Sequence, residues 1–143
     1  MKIIESRFAG QILKVVKNSL GDIFFLDDIA VVELSEGIHF DMQNSKLIID
    51  ELLNYFGTSK PYGVVANRIN SYSVNLIHIP HFKNQAKNLK AYGVVGHDLA
   101  GKMNAEIENK FCYSENVNYD TLTDAIRSVS KKLKNNTNTF SLN

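Results

Sequence analysis

The nine residues NRINSYSVN, numbers 67–75, hold several side chains that could do chemistry: an Arg, three Asn, two Ser and a Tyr. They follow the apolar run KPYGVVA, 60–66, which has the length and composition of a buried strand. Binding sites of α/β proteins usually lie where the strands end. The candidate binding residues are therefore Asn67, Arg68, Asn70, Ser71, Tyr72 and Ser73.

Two interpretations of this stretch are open. In the first, Arg68 and the amides at the start of the next helix hold an anion, and Tyr72 stacks on a ligand. Ser71 and Ser73 are then candidates for covalent modification. In the second, the Asn and Ser side chains bond to the main chain of a turn, and Arg68 pairs with a nearby acid.

The other reactive side chains form no recognisable catalytic or metal-binding set. His78 and His81 lie three apart, as on one face of a helix, but zinc needs three or four ligands. His97 and Asp98 are adjacent, and Asp98 stands where it caps a helix. Cys112 follows Phe111 at a predicted helix end, not at a helix start, where the pKa of a thiol would fall. With no glycine-rich phosphate loop present, we predict no enzyme activity, no metal and no cofactor.

Composition excludes several classes of protein. Net charge is +1, from 16 basic and 15 acidic residues, so a nucleic-acid binder driven by phosphate contacts is not expected. No apolar run approaches the roughly 20 residues of a membrane span, so we predict no integral membrane segment. The single Cys allows no intrachain disulfide and fits a reducing compartment. These features predict a cytoplasmic protein.

The order of apolar patterns predicts an α/β fold. Asp27-Asp28 divides a hairpin within 21–37, while Asp41 and Gly57 bracket a helix over about 42–56. The next predicted elements are a strand at 60–66, a helix within 76–89 and a strand at 91–95; this helix begins near Ile79 with Pro80 in its first position. They are followed by a helix from Asp98, a short strand at 117–119 and a helix to about 134. The helix from Asp98 carries an apolar stripe of Leu99, Met103, Ile107 and Phe111. ILKVV, 12–16, is a further candidate strand.

These elements make a mixed, mainly parallel sheet of four to five strands with about four helices, because the strand–helix–strand units are parallel. We predict one domain over 1–134 and a disordered tail over 135–143, where no pattern continues. The predicted core comprises Ile29, Val31, Ile49, Leu52, Leu53, Val64, Val65, Val94, Val95, Ile107, Ile126 and Val129.

Four segments carry a resemblance to a known family: EGIHFD, KPYGVVANRINSYS, KAYGVVGHD and NYDTLTDAIRSVSKKL. Over roughly residues 22–134 the chain resembles the SpoIIAA-like proteins, relatives of STAS domains and of CRAL-TRIO lipid-binding domains. The resemblance implies a SpoIIAA-like fold. In STAS anti-sigma-factor antagonists, a serine within an Asp-Ser-Ser-Gly-like sequence is phosphorylated at the start of the second helix. The matching segment here, residues 70–73, keeps two serines and lacks that aspartate and glycine.

The function expected from the resemblance and from the missing catalytic set is a non-enzymatic regulatory or protein-interaction module. The candidate polar site is the turn 67–73, and the expected partner is a protein. The alternative is a binder of a small apolar or amphipathic, lipid-like ligand between the sheet and the helices. That ligand would contact Tyr62, Tyr72, Phe82 and Tyr92. The sequence leaves the oligomeric state open, as well as whether Ser71 or Ser73 is phosphorylated.

Overall fold

The computed structural model describes residues 1–97, 103 and 117–141, and shows an α/β fold built on two sheets. The strands are β1 (Lys14–Asn18), β2 (Gly21–Phe25), β3 (Ile29–Leu34), β4 (His39–Phe40), β5 (Tyr62–Arg68), β6 (Ser73–Val74), β7 (Leu89–Gly96) and β8 (Asn118–Tyr119). The α-helices are α1 (Lys46–Phe56), α2 (Ile79–Gln85) and α3 (Leu122–Ser141). Short 3₁₀ turns cover Ile3–Glu5, Ala9–Gln11 and Leu76–His78.

The main sheet has six strands in the order β1-β2-β3-β5-β7-β8. β1, β2 and β3 are antiparallel, whereas β3, β5, β7 and β8 are parallel, so the predicted mixed, mainly parallel sheet is confirmed. The predicted count of four to five strands is too low. β1 and the short β8 both pair with neighbours, because each finds a free edge of the sheet.

Local signals place several element ends correctly. Leu26 donates its N–H to Ile29 O around Asp27-Asp28, which closes the predicted hairpin. Gly57 ends α1 with φ of +79°, a conformation that favours glycine. α2 begins at Ile79 after a 3₁₀ turn, so the predicted helix start near Ile79 is confirmed.

Two helix boundaries differ from prediction, and one predicted helix is not described. α1 starts at Lys46 rather than at 42, because Asp41 Oδ1 accepts the N–H groups of Gln43 and Asn44 in a separate turn. α3 continues to Ser141, past the predicted end near 134, and the disorder of the tail stays a prediction. The helix predicted from Asp98 lies outside the described residues except for Met103, so the described chain has three α-helices rather than four.

The main sheet lies between two helical layers, which we call the α1 face and the α3 face. Alternate residues of each strand face opposite layers, as the pleat requires. On the α3 face, Val31 and Val65 pack with α3 and with the N-terminal residues Ile3 and Phe8. Gly63 lets α3 lie close on this face, because a Cβ there would collide with Val129.

The α1 face holds the second apolar cluster. Ala30, Val32 and Val64 pack there against Ile48, Leu52 and Phe56 of α1. Every described residue of the predicted core is buried except Leu53, which is 37% exposed. Leu53 lies about 100° around the helix from Leu52, which turns it from the sheet. Ile107 lies outside the described residues.

Candidate functional site

The strand β5 begins at Tyr62 and ends at Arg68, two residues beyond the predicted end at 66, and this changes where the candidate binding residues lie. Asn67 and Arg68 belong to the strand, pairing with Val95 and Gly96 of β7, rather than to the turn. Both are buried, at 0% and 5% exposure. Because successive residues of a strand face opposite sides, Asn67 faces the α3 layer and Arg68 the α1 layer.

Arg68 holds the turn that follows β5. Its guanidinium donates to the main-chain oxygen of Tyr72 at 2.8 Å and lies 4.2 Å from the centre of the Tyr72 ring. Tyr72 is itself buried. A buried cation that donates to a carbonyl and covers an aromatic ring fixes both ends of a short segment. Arg68 and Tyr72 therefore support the turn from inside.

The turn is also tied to the loop after β3. The short strands β4 and β6 pair in parallel, with His39 opposite Ser73. Main-chain hydrogen bonds join Gly37 N to Ser71 O at 2.8 Å and Ser73 N to Ile38 O at 2.9 Å. Two loops thus form one structure at the carboxyl ends of β3 and β5.

Side chains add hydrogen bonds to the pairing of these two loops, and we call the whole set of contacts the clamp. The same side chains form an outward polar surface. Asn70 donates to Leu34 O at 3.0 Å, and Glu36 Oε2 accepts the N–H of Ser71 at 2.8 Å. The Ser73 hydroxyl lies 2.6 Å from His39 Nδ1. We call this set the turn surface; its members are Glu36, His39, Asn70, Ser71 and Ser73. Ser71 and Ser73 are exposed on it.

Asn67 belongs to a different cluster on the α3 face, which we call the polar row: Glu33, Asn67 and His97. Asn67 Nδ2 donates to Glu33 Oε2 at 2.7 Å, and Asn67 Oδ1 lies 2.6 Å from His97 Nε2. These residues come from the ends of β3 and β5 and from the position after β7. The tertiary structure therefore places three polar side chains side by side across three parallel strands.

The N-terminal residues cover the polar row. Ile3 donates its main-chain N–H to Glu33 Oε2 at 2.8 Å, and Asn67 Nδ2 also donates to the main-chain oxygen of Met1 at 2.9 Å. The main-chain nitrogen of Met1 lies 3.3 Å from His97 Nδ1.

Burial raises the pKa of the Glu33 carboxyl above its ordinary value, because the ionised form loses water. The hydrogen bonds from Ile3 and Asn67 oppose that rise without cancelling it. Sequence reasoning missed Glu33 as a functional candidate. The signal was present: an acid in the otherwise apolar strand IAVVEL, two residues after the buried Val31.

The aromatic residues assigned to an apolar ligand site lie on the α1 face. Tyr62 and Tyr72 are buried in its cluster, and Tyr92 is packed against it. Tyr62 stacks on Phe56 with ring centres 4.5 Å apart. Its hydroxyl is buried without a hydrogen-bond partner among the described residues, and burial raises its pKa. Phe82 contacts Phe40, with ring centres 4.9 Å apart.

His78 and His81, for which the sequence predicts no metal site, show no metal-binding geometry in the described part of the chain. His78 Nδ1 accepts the N–H of Met42 at 2.9 Å, so that nitrogen is already used. Within residues 1–97, 103 and 117–141, no group of three or more His, Cys, Asp or Glu residues is placed to hold a metal. Asp98 and Cys112 lie outside these ranges.

None of the helices in the described ranges is long and apolar enough to cross a membrane. Comparison of the chain with protein-family models, with curated proteins and with solved structures finds no significant match.

Proposed function

We propose that this chain is a non-enzymatic regulatory or protein-interaction module of SpoIIAA-like type, and that a partner protein binds the turn surface. The observation that carries the proposal is the clamp: an exposed polar turn held in one conformation by a buried Arg68, by β4–β6 pairing and by side-chain bonds.

Rigidity is what makes such a surface suited to recognition. A flexible loop loses conformational entropy when it binds, at about 0.5–1.5 kcal/mol for each side chain that is immobilised. The turn surface is already ordered by hydrogen bonds to Leu34, Gly37 and Ile38. A partner protein therefore binds hydrogen-bond donors and acceptors of the turn surface that are already in position.

Regulation follows from the two exposed serines. A phosphate on Ser71 would place about two negative charges beside Glu36, whose carboxylate accepts the N–H of the same residue. Repulsion would break that contact and loosen the turn. A phosphate on Ser73 would instead lie beside His39, whose protonated form attracts it. The same surface thus offers two opposite responses to modification.

Site-specific photo-cross-linking in the cells that make the protein tests the proposal. A photo-reactive amino acid is introduced at Ser71 and, as a matched control, at Thr58, which is exposed and precedes β5 at its opposite end. We expect one or a few discrete protein adducts from Ser71 and none of the same mass from Thr58. No adduct from Ser71, or identical products from both positions, would contradict it.

A second candidate, a binder of a small apolar or amphipathic ligand, is favoured by the Tyr62 hydroxyl. Among the described residues this buried hydroxyl has no hydrogen-bond partner, which costs about 1–3 kcal/mol, and a ligand's polar group would remove that cost. Native mass spectrometry of the purified chain and of Tyr62→Phe tests it. A lipid-sized adduct that is present in the wild type and depleted in the variant supports this candidate. A bare mass at the calculated value in both overturns it.

A further inference from the structure

We infer that the polar row is a binding site for the main chain of a peptide, and that residues 1–3 fill it as the chain's own ligand. The row lies on the α3 face, whereas the turn surface lies beyond the α1 face, so this inference does not depend on the proposed function. Two observations support the inference: the row contacts main-chain groups of residues 1–3, and few other contacts hold these residues.

The row contacts main-chain groups. Glu33 Oε2 accepts an N–H, from Ile3, and Asn67 Nδ2 donates to a C=O, that of Met1. The two contacted groups lie on either side of Lys2, whose backbone is extended, and every peptide carries both. Main-chain recognition of this kind supplies affinity without requiring a particular sequence.

One side chain supplies the selectivity. Ile3 is 0% exposed and packs into the cluster on the α3 face, among residues that include Phe24, Val31 and Leu122. Its neighbours point outward, with Met1 63% and Ile4 57% exposed. A single buried branched residue between exposed ones defines the ligand class: a peptide with one apolar anchor at the position of Ile3, directly after one extended residue.

The segment that fills the row is joined weakly to the rest of the molecule. Residues 1–11 form two 3₁₀ turns and no strand. In the part of the chain that the structure describes, the hydrogen bonds that join this segment to the remainder are a turn bond from the adjacent Ile12 N–H to Ala9 O and three bonds to the polar row. Ile3 and Phe8 are its buried apolar anchors. Elements held at so few points open separately from the global unfolding of a domain.

The composition of the row fits binding better than packing. A carboxylate buried at 6% exposure on an apolar sheet face is costly, and an apolar residue of similar volume there is often neutral or stabilising. The role that explains a carboxylate at this position is to accept a main-chain N–H. The carboxyl ends of neighbouring parallel strands are also where open α/β sheets bind their ligands.

A labelled peptide tests the inference on the full chain. The probe is a fluorescein-labelled synthetic peptide MKIIESRFAGQ, and binding is followed by anisotropy with the Ile3→Ala variant, whose own anchor is shortened. We expect saturable binding to Ile3→Ala, and binding weaker by about tenfold or more to the matched control Ile4→Ala, which keeps its anchor. A peptide methylated on the Ile3 nitrogen lacks the donor for Glu33 and should lose about tenfold or more in affinity.

Hydrogen exchange of the wild-type chain gives an independent readout, which also decides the matter if Ile3→Ala does not fold. We expect the amides of residues 3–6 to exchange at least about tenfold faster than those of β5, through local opening. The inference is overturned if those amides exchange only with global unfolding. It is also overturned if a folded Ile3→Ala binds no peptide, or binds the methylated peptide equally well.

Discussion

The polar row and the turn surface lie at the same ends of β3 and β5, on opposite sides of the sheet. In the row, Asn67 and Glu33 are buried and their hydrogen bonds go to each other, to His97 and to residues 1–3. In the turn, the polar groups of Ser71 and Ser73 are exposed, whereas Arg68 and Tyr72, which support the turn, are buried. Two adjacent residues, Asn67 and Arg68, therefore serve two unrelated surfaces.

The comparison shows two ways of placing polar groups where strands end. A buried polar group must find partners within the protein, since an unpaired one costs about 1–3 kcal/mol. An exposed group has water as a partner, so its position depends on the main chain beneath it. Substitutions in the row should consequently disturb stability, and substitutions on the outside of the turn surface should disturb only binding.

Asn67→Ala is expected to have the largest effect, lowering the free energy of unfolding by about 3 kcal/mol. It removes a donor to the buried Glu33 carboxylate and leaves Met1 O and His97 without the amide contact. Denaturant unfolding measures the change. Asn54→Ala, at an exposed position in α1, is the matched control and should stay within about 0.5 kcal/mol. Equal effects from both would contradict the buried row.

Arg68→Ala is expected to cost about 2 kcal/mol, since Tyr72 loses both a donor to its main-chain oxygen and the cation over its ring. The exposed Arg127→Ala provides the control and should change stability by less than about 0.5 kcal/mol. Thermal or denaturant unfolding of the pair is sufficient. If Arg68→Ala were as stable as the wild type, Arg68 would not be the internal support of the turn.

Glu33→Gln should change how stability depends on pH. The folded-state pKa of Glu33 is raised by burial, with Asp22 adding to the rise and Lys2 opposing it. Its stabilising contribution is therefore fully present below about pH 4.5, the ordinary value, and is lost as pH rises through the raised pKa.

Glutamine does not titrate. The free energy of unfolding of the variant, relative to that of the wild type, should therefore increase as the pH rises above the ordinary pKa of a glutamate. Denaturant unfolding of both chains over the same pH series measures this difference. Only a difference that changes with pH tests the prediction, because a constant difference in unfolding free energy does not report on titration. Parallel curves across the series would show that Glu33 titrates normally in the folded protein.

Ser71→Ala is expected to have the smallest effect on stability, within about 0.5 kcal/mol, because its side chain is exposed. Ser45→Ala is the buried counterpart, at 1% exposure with its hydroxyl bonded to Met42 O, and should cost about 1 kcal/mol. Calorimetric melting of both variants makes the comparison. A larger loss from Ser71 would mean that its hydroxyl belongs to the clamp.

Local residue chemistry determined much of the fold. The Asp27-Asp28 hairpin, the end of α1 at Gly57 and the start of α2 beside Pro80 each depend on the backbone preferences of one or two residues. Apolar spacing likewise predicted most of the core, because a periodic stripe has one way to face a sheet. These features needed no knowledge of what lay across the molecule.

Tertiary structure alone decided the two polar clusters. Asn67 and Arg68 are in a strand rather than a turn because β7 is long enough to pair with them, and the length of a strand is set by its neighbour's free main-chain groups. Glu33, Asn67 and His97 are separated by 34 and 30 residues in sequence, and they meet only because β3, β5 and β7 run parallel in register. The covering of that row by residues 1–3 depends on a contact that no local pattern encodes.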